Sequence, residues 1–279
     1  MSICFIDGAF RPTEECRLPV TDMAIQRGVG VFDSIRLYDR KAFALSEHLE
    51  RLKESAKGAG IRVDGIVERM FDTIREGARR DDCPNEGNCL VKPYITGGDV
   101  NDCGRFPEPR HFVIFEEGPP ICAEECKTGV ALQPTSVERL HPLVKSTNYL
   151  FGLMQSAGMS DVLECLYCPG GEVTETLRSS FFACLGGKIV TAPIGRVLGG
   201  ITRNIVLKLA RENGFTVEER CPLLTELPSA NEAFITSTWK EVMPVVRVGD
   251  VRINQGKPGP VAAHLQKLFR ASFDEWLDR

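Results

Sequence analysis

The hydrophobic periods constrain this chain more than any other feature. Some stretches repeat apolar residues every second position, others every third or fourth, and the two kinds interleave without strict strand–helix alternation. That pattern fits two α+β-type domains best. Residues 3–7 (ICFID) and 30–38 (GVFDSIRLY) read as strands. SEHLERLKESAKGAG reads as a helix, with Leu45, Leu49, Leu52 and Ala56 at helical spacing. A second helix carries Ile66, Val67, Met70, Phe71 and Ile74 on one face, with Asp64 as its expected cap. Strands follow at about 89–96 and 110–116. The acidic, proline-containing EEGPP (116–120) then breaks the pattern.

After the break the pattern restarts. Strands are expected in TGVALQP, VLECLYC, VTETLRSSFFACL, KIVTAP, FTVEE, EAFITST and VMPVVRV. Helices are expected at 147–159, in ITRNIVLKLARENG and in the terminal AAHLQKLFRASFDEWL. The domain reading is 1–117, a linker at 118–124, and a larger β-rich unit at 125–279. At 279 residues there is ample chain for two cores.

Net charge is −4 with no long basic run, which argues against bulk nucleic-acid binding. No stretch of about 18 apolar residues occurs, so no membrane span is expected. The eleven cysteines are an odd count without a secretion signal, so they read as thiols in a reducing, cytoplasmic setting. Cys165 and Cys168 form a CxxC with no second Cys/His pair, too little for zinc, and no metal is expected.

Three stretches carry chemistry. In LVKSTNYL, Lys145 is the one charge among small, polar and apolar residues; it is either an ordinary lysine opening a helix or a reactive amine. In GGEVTETLRSSFF, Glu175 is either a turn carboxylate or a buried acid for a basic ligand nitrogen. Arg178 beyond it is either a surface arginine or a fixed charge for an anionic substrate. In GGITRNIVLKLA, glycines and Thr202 open a helix, and the stretch is either a turn that merely caps it or a seat for phosphate at its N-terminal N–H groups. Together they supply what pyridoxal 5'-phosphate needs: an amine for its aldehyde, an acid for its ring nitrogen and a seat for its phosphate.

On these residues the chain resembles the class IV (fold type IV) pyridoxal-phosphate aminotransferases. That family includes branched-chain aminotransferases, D-amino acid transaminases and aminodeoxychorismate lyases. The resemblance runs in order through QRGVGVFDSIRLY, HLERL, KSTNYL, VTE, VLGGITR, EAFITST and MPVVRVGD. It implies a two-domain enzyme, usually a homodimer with sites near the subunit interface. Lys145 matches the Schiff-base lysine and proton carrier, and Glu175 the partner of the pyridine nitrogen. Arg51, Ile201, Thr202, Ser237 and Thr238 match the phosphate contacts. Leu198 matches the apolar residue beneath the ring, and Tyr149 the tyrosine that bonds the ring oxygen in branched-chain enzymes.

Departures from the family bear on substrate. Thr176 replaces a usual glycine and Ser180 a usual asparagine, and GGDVNDCGRFPEP lacks the RxH carboxylate trap of one D-amino acid transaminase type. Arg27 stands where branched-chain enzymes often have tyrosine. Phe32, Lys92, Arg178, Trp239 and Lys240 fall at the other substrate-side positions. A pocket that gains cations suits carboxylates better than branched alkyl chains. The resemblance thus implies ping-pong transamination between a D-amino acid (D-glutamate or D-alanine) and a keto acid such as 2-oxoglutarate or pyruvate. The alternatives are a branched-chain L-aminotransferase, an aminodeoxychorismate lyase, or a non-catalytic pyridoxal-phosphate-binding protein.

Overall fold

The computed structural model of the chain describes residues 2–84, 89–101, 106–119, 123–156, 158–159 and 161–277. The chain divides into two compact units. One comprises Met1–Pro120 with Val144–Tyr149 and Phe273–Arg279; the other comprises Ile121–Leu143 and Leu150–Ser272. The linear reading, split at 118–124, has no place for those two returns to the first unit. Glu116 and Glu117 end a strand and Ala123 opens a helix, while 120–122 lie outside the described residues.

The first unit holds strands β1 (Ile3–Ile6), β2 (Ala9–Pro12), β3 (Gly30–Phe32), β4 (Ile35–Tyr38), β5 (Lys41–Ala42), β6 (Cys89–Asp99) and β7 (Glu108–Glu117). Among the described residues they form one sheet in the order β2-β1-β7-β6-β4-β5, with β3 also on β6. Every pairing is antiparallel. The helices are α1 (Met23–Arg27), α2 (Leu45–Gly58) and α3 (Ile66–Arg79). Burial of Leu45, Leu49, Leu52 and Ala56 on α2 follows the helical period. α3 buries Val67, Met70 and Ile74, each worth about 1.5–3 kcal/mol when fully withdrawn from water. α3 also sets Gly77 so close to Phe115 of β7 that a Cβ there would lie 2.2 Å from the ring. Asp64 is not its cap: Gly65, at φ 68°, holds that position without a side-chain hydrogen bond.

The second unit holds α4 (Ala123–Thr128), β8 (Val130–Thr135), α5 (Leu150–Ser156), β9 (Glu164–Tyr167), β10 (Ser180–Leu185), β11 (Lys188–Thr191), α6 (Ile201–Glu212), β12 (Val217–Glu219), β13 (Glu232–Ser237), β14 (Glu241–Val248), β15 (Val251–Arg252) and α7 (Pro260–Ala271). Its sheet order is β12-β11-β10-β13-β14-β8-β9, with β15 on β14. β12 on β11, β8 on β14 and β9 on β8 are parallel. The core gathers Leu132, Leu166, Phe181, Ala183, Ile235, Met243 and Val245.

Three expected elements are shorter than their patterns. The helix expected at 147–159 spans Leu150–Ser156; ahead of it the chain bends at Thr147, whose N–H donates to Gly30 O at 2.9 Å. VTETLRSSFFACL becomes a strand only from Ser180; before it, Thr176 N–H donates to Ser179 O at 2.8 Å in a tight turn. The terminal helix stops at Ala271, and Phe273 packs on Tyr38 and Phe43 at centroid distances of 4.6 and 5.2 Å. Its apolar residues beyond Ala271 serve another surface, so periodicity alone overextends the helix.

Candidate active site

In the first unit, Lys145 lies in an extended segment fixed by its backbone. Its N–H donates to Ser55 Oγ at 3.1 Å and its carbonyl accepts from Phe32 N at 3.1 Å. Ser146 bridges Val31. The side chain is buried, with 9% exposure. Its Nζ sits 4.8 Å from the Phe32 ring centroid, and among the described residues no carboxylate pairs with it. A buried cation answered by a ring face rather than an acid is expensive to hold. Phe32 stacks on Tyr94 at 5.4 Å and meets Tyr149 edge-on at 5.7 Å. Burial pushes the Tyr94 hydroxyl up to about 12.

Asp33, next to Phe32, is fully buried and gathers two partners from α2. Arg51 grips it with Nε at 2.9 Å and Nη2 at 2.7 Å, and His48 Nδ1 lies 2.8 Å away. Burial alone would raise the Asp33 carboxyl. The charges and hydrogen bonds of Arg51 and His48 outweigh it and hold the group well below the carboxylate range. Burial, aided by Arg51 and Lys145, lowers His48 below its ordinary value despite Asp33. The expected phosphate arginine is thereby locked in one orientation. Lys92, on β6, pairs with Glu116 of β7. Arg27 ends α1, exposed, with Nη1 donating to Gln26 O at 2.8 Å.

In the second unit, Glu175 is buried. Its Oε2 accepts from Leu198 N at 3.2 Å and its Oε1 from Arg139 Nη1 at 3.3 Å. Leu198 leads into α6, whose N-cap Gly200 offers no side-chain hydrogen bond, so the first-turn N–H groups are uncapped by side chains. A Cβ at Gly200 would sit 2.8 Å from Ser180 Oγ and 3.1 Å from Arg203 Cβ. Ile201 and Thr202 are buried beside it. Thr236 Oγ1 on β13 is buried with no partner among the described residues. The turn after it carries Ser237, whose Oγ accepts from Lys240 N at 3.1 Å, and half-buried Thr238 and Trp239.

The expected excess of cations is largely offset. Buried Glu164 pairs with Lys240 Nζ, lies 3.4 Å from Arg178 Nε, and accepts from Thr176 Oγ1 at 2.5 Å and Arg178 N at 3.0 Å. Burial pushes its carboxyl up, but the charges of Lys240 and Arg178 and the hydrogen bonds prevail and hold it below its ordinary value. Lys92, Lys240 and Arg178 thus each face an acid of this chain.

The first unit therefore brings together Phe32, Arg51, Lys145 and Tyr149, and the second Glu175, Leu198, Ile201 and Thr202. Asp33, His48, Arg139 and Glu164 escaped the sequence reading. Their partners are distant in sequence, and only the charge of Glu164 inside the apolar ECLYC hinted at a role. Residues 102–105 of the GGDVNDCGRFPEP stretch lie outside the described residues. The nine described cysteines are free thiols, and no metal-holding His/Cys/Asp/Glu group occurs among the described residues. No described helix is long and apolar enough to cross a membrane.

A family model for amino-transferase class IV matches residues 30–248. A putative branched-chain-amino-acid aminotransferase of Methanocaldococcus jannaschii is 32% identical, over 98% of this chain and 96% of its own. A D-alanine aminotransferase of Bacillus licheniformis is 30% identical, over 98% of this chain and 97% of its own. Among solved structures, the T.th. branched-chain amino acid aminotransferase with pyridoxamine 5'-phosphate gives a TM-score of 0.84 at 25% identity, covering 99% of this chain and 97% of that one. The Escherichia coli branched-chain enzyme gives 0.82 at 27% identity, covering 99% of this chain and 98% of that one.

Proposed function

The chain belongs to the class IV aminotransferases, and from that premise we propose that it moves an amino group between a D-amino acid of the glutamate or alanine type and a 2-keto acid. Aminotransferases of this class use pyridoxal phosphate, and the residues present fit it. Lys145 is a buried amine with no acid among the described residues, Glu175 is a buried carboxylate, and α6 opens on an uncapped turn at a glycine whose Cβ would crowd Ser180. When bound, the cofactor supplies an aldehyde for the amine and a ring that accepts the electron pair left at the substrate's Cα.

Each side chain has a task in that reading. Lys145 Nζ, once the substrate amine has replaced it on the aldehyde, would take the Cα proton and deliver it to the former aldehyde carbon. Glu175, steadied by Arg139 and Leu198 N–H, holds a negative charge for a protonated ring nitrogen. By the family resemblance, phosphate is the task of Arg51, fixed by Asp33 in the first unit, and of the N–H groups and hydroxyl at Ile201 and Thr202 in the second. Phe32 and Tyr94 keep water from the amine.

The observation that carries the choice of substrate is the Glu164 network. It makes the turn Thr176–Ser179 and Lys240 a charged, hydrogen-bonded wall. A branched alkyl side chain gains nothing there, whereas a carboxylate does. D-Alanine aminotransferases among the relatives support the same reading. The rival is a branched-chain L-aminotransferase, favoured by Tyr149 beside Phe32 and by the relative of 32% identity. The cofactor absorbance band, recorded before and after D-glutamate, D-alanine, L-glutamate and L-leucine, separates them. Bleaching by the D-substrates supports the proposal; bleaching by L-leucine alone overturns it.

The proposal includes a homodimer in a reducing, cytoplasmic setting, which suits the free thiols of the nine described cysteines. α5 exposes Leu150, Phe151, Leu153 and Met154, an apolar face for a second copy, and exposed Arg27 is offered to the neighbouring subunit's substrate. Light scattering that finds an active monomer would overturn the dimer.

A further inference from the structure

Four cations are candidates for binding substrate carboxylate, and their surroundings separate them. Lys92 is engaged by Glu116. Lys240 Nζ is engaged by Glu164 and by Ser179 Oγ at 3.2 Å, and its side chain is largely buried. Arg27 is exposed and turns one terminal nitrogen to its neighbour's carbonyl, with no buried acid among the described residues to aim it. Arg178 differs from all three. Its backbone N–H and its Nε are both directed at the Glu164 carboxylate, at 3.0 and 3.4 Å. Its side chain is 55% exposed, and among the described residues neither terminal nitrogen has an acceptor.

We propose that Arg178 is the receptor for a carboxylate on the substrate's side chain, aimed by the buried Glu164, so that the enzyme prefers dicarboxylic amino acids to alanine. This deepens the transaminase reading and rests on it. A guanidinium anchored through Nε presents its two terminal nitrogens as a fork, the shape that takes a carboxylate bidentately. The anchor is stiff. The backbone bridge Glu175–Ser180 closes the base of the turn. Within it, Thr176 O–H donates to Glu164 at 2.5 Å and Ser179 N–H to Thr176 Oγ1 at 2.8 Å. Arg178 therefore stands at the tip of a short turn rooted in Glu175, the residue assigned to the ring nitrogen. Glu164 is a positioning residue and Lys240 its charge balance. Without Lys240, Glu164 would claim more of the arginine.

The test uses the holoenzyme and its Arg178→Ala, Glu164→Gln and Glu164→Asp variants. The donor half-reaction is followed by the loss of cofactor absorbance in a single turnover, with both enantiomers of glutamate and of alanine, so no keto acid intervenes. Binding of glutarate against butyrate is measured by calorimetry. Wild type is expected to favour glutamate over alanine. Arg178→Ala should cut the glutamate-to-alanine ratio about 10- to 100-fold and weaken glutarate by a similar factor, the worth of one charged hydrogen-bonded contact. Glu164→Gln should raise the apparent Kd for glutamate more than it slows the saturated rate, and Glu164→Asp should recover part of the loss. An Arg178→Ala variant that lowers both donors equally, or that binds glutarate as tightly as wild type, overturns the receptor. The enantiomer that reacts judges the D-substrate reading separately. If neither enantiomer reacts, that reading fails and the glutarate comparison still decides Arg178.

Discussion

Lys145 and Lys240 are both largely buried, yet they are treated in opposite ways. Lys240 is held by a carboxylate with no exposure of its own, which also collects Thr176 and Arg178. Lys145 has a phenyl face and, among the described residues, no acid. The first arrangement is how a fold stabilises a cation it must bury. The second leaves an amine whose electrostatic need is met only when something else arrives. The contrast is the one the proposed roles require, a structural lysine at 240 and a reactive one at 145.

The largest test of the contrast is Lys145→Met. Activity should fall by about four orders of magnitude or more, since both the covalent link and the proton carrier go. The cofactor band should vanish, and melting of the cofactor-free protein should not fall. A melting temperature well below wild type would mean that the lysine is structural after all. Lys240→Met should do the reverse. Glu164 keeps Arg178 and Thr176 but loses its buried cation, which should cost about 1.5–3 kcal/mol, read by urea denaturation, while a measurable cofactor band persists. If the two variants lose the same stability, the distinction collapses.

A smaller effect is expected at Gly200→Ala, where the new methyl meets Ser180 Oγ. Overpacking of about 1–3 kcal/mol should weaken phosphate or cofactor binding in titrations, with the fold retained. The smallest concerns pH. Asp33 and Glu164 are held below their unfolded values, and His48 below its own. In each window the unfolded chain binds more protons than the folded one, so stability rises with pH. The His48 contribution is lost as pH falls below about 6.5, and the carboxylate contributions as it falls from about 4 through the lower folded values. His48→Gln should flatten the upper part of the slope in melting curves between pH 7 and 5; an unaltered slope there removes His48 from the account.

Much of this was legible in the sequence. The isolation of Lys145 in LVKSTNYL, the helix opening at GGIT and the apolar stripes of α2, α3 and α6 are local patterns with local causes. What was not legible depends on chain returns. Glu164 meets Lys240, Arg178 and Thr176 only after the sheet has formed, and nothing in ECLYC names those partners. Asp33 likewise meets His48 and Arg51 across a turn and a strand. The overextended terminal helix failed for the same reason. Phe273 and Trp276 keep a helical spacing, but the Phe273 ring packs on Tyr38 and Phe43, and the Trp276 carbonyl accepts from Ala44 N–H.

That last contact bears on how the molecule is made. Ala44, in the left-handed region at φ 49° just before α2, donates its N–H to Trp276 O at 2.8 Å, and Phe43 bridges Leu277. Lys145 and its neighbours also close onto β3. On the ribosome, the first unit therefore cannot finish before the second: its strands and helices emerge early, wait for the lysine segment, and are sealed only by residues translated long afterwards. A tag or deletion near Trp276 should accordingly be felt at the start of α2, and arrested nascent chains should be open to protease in the earliest-made part of the protein.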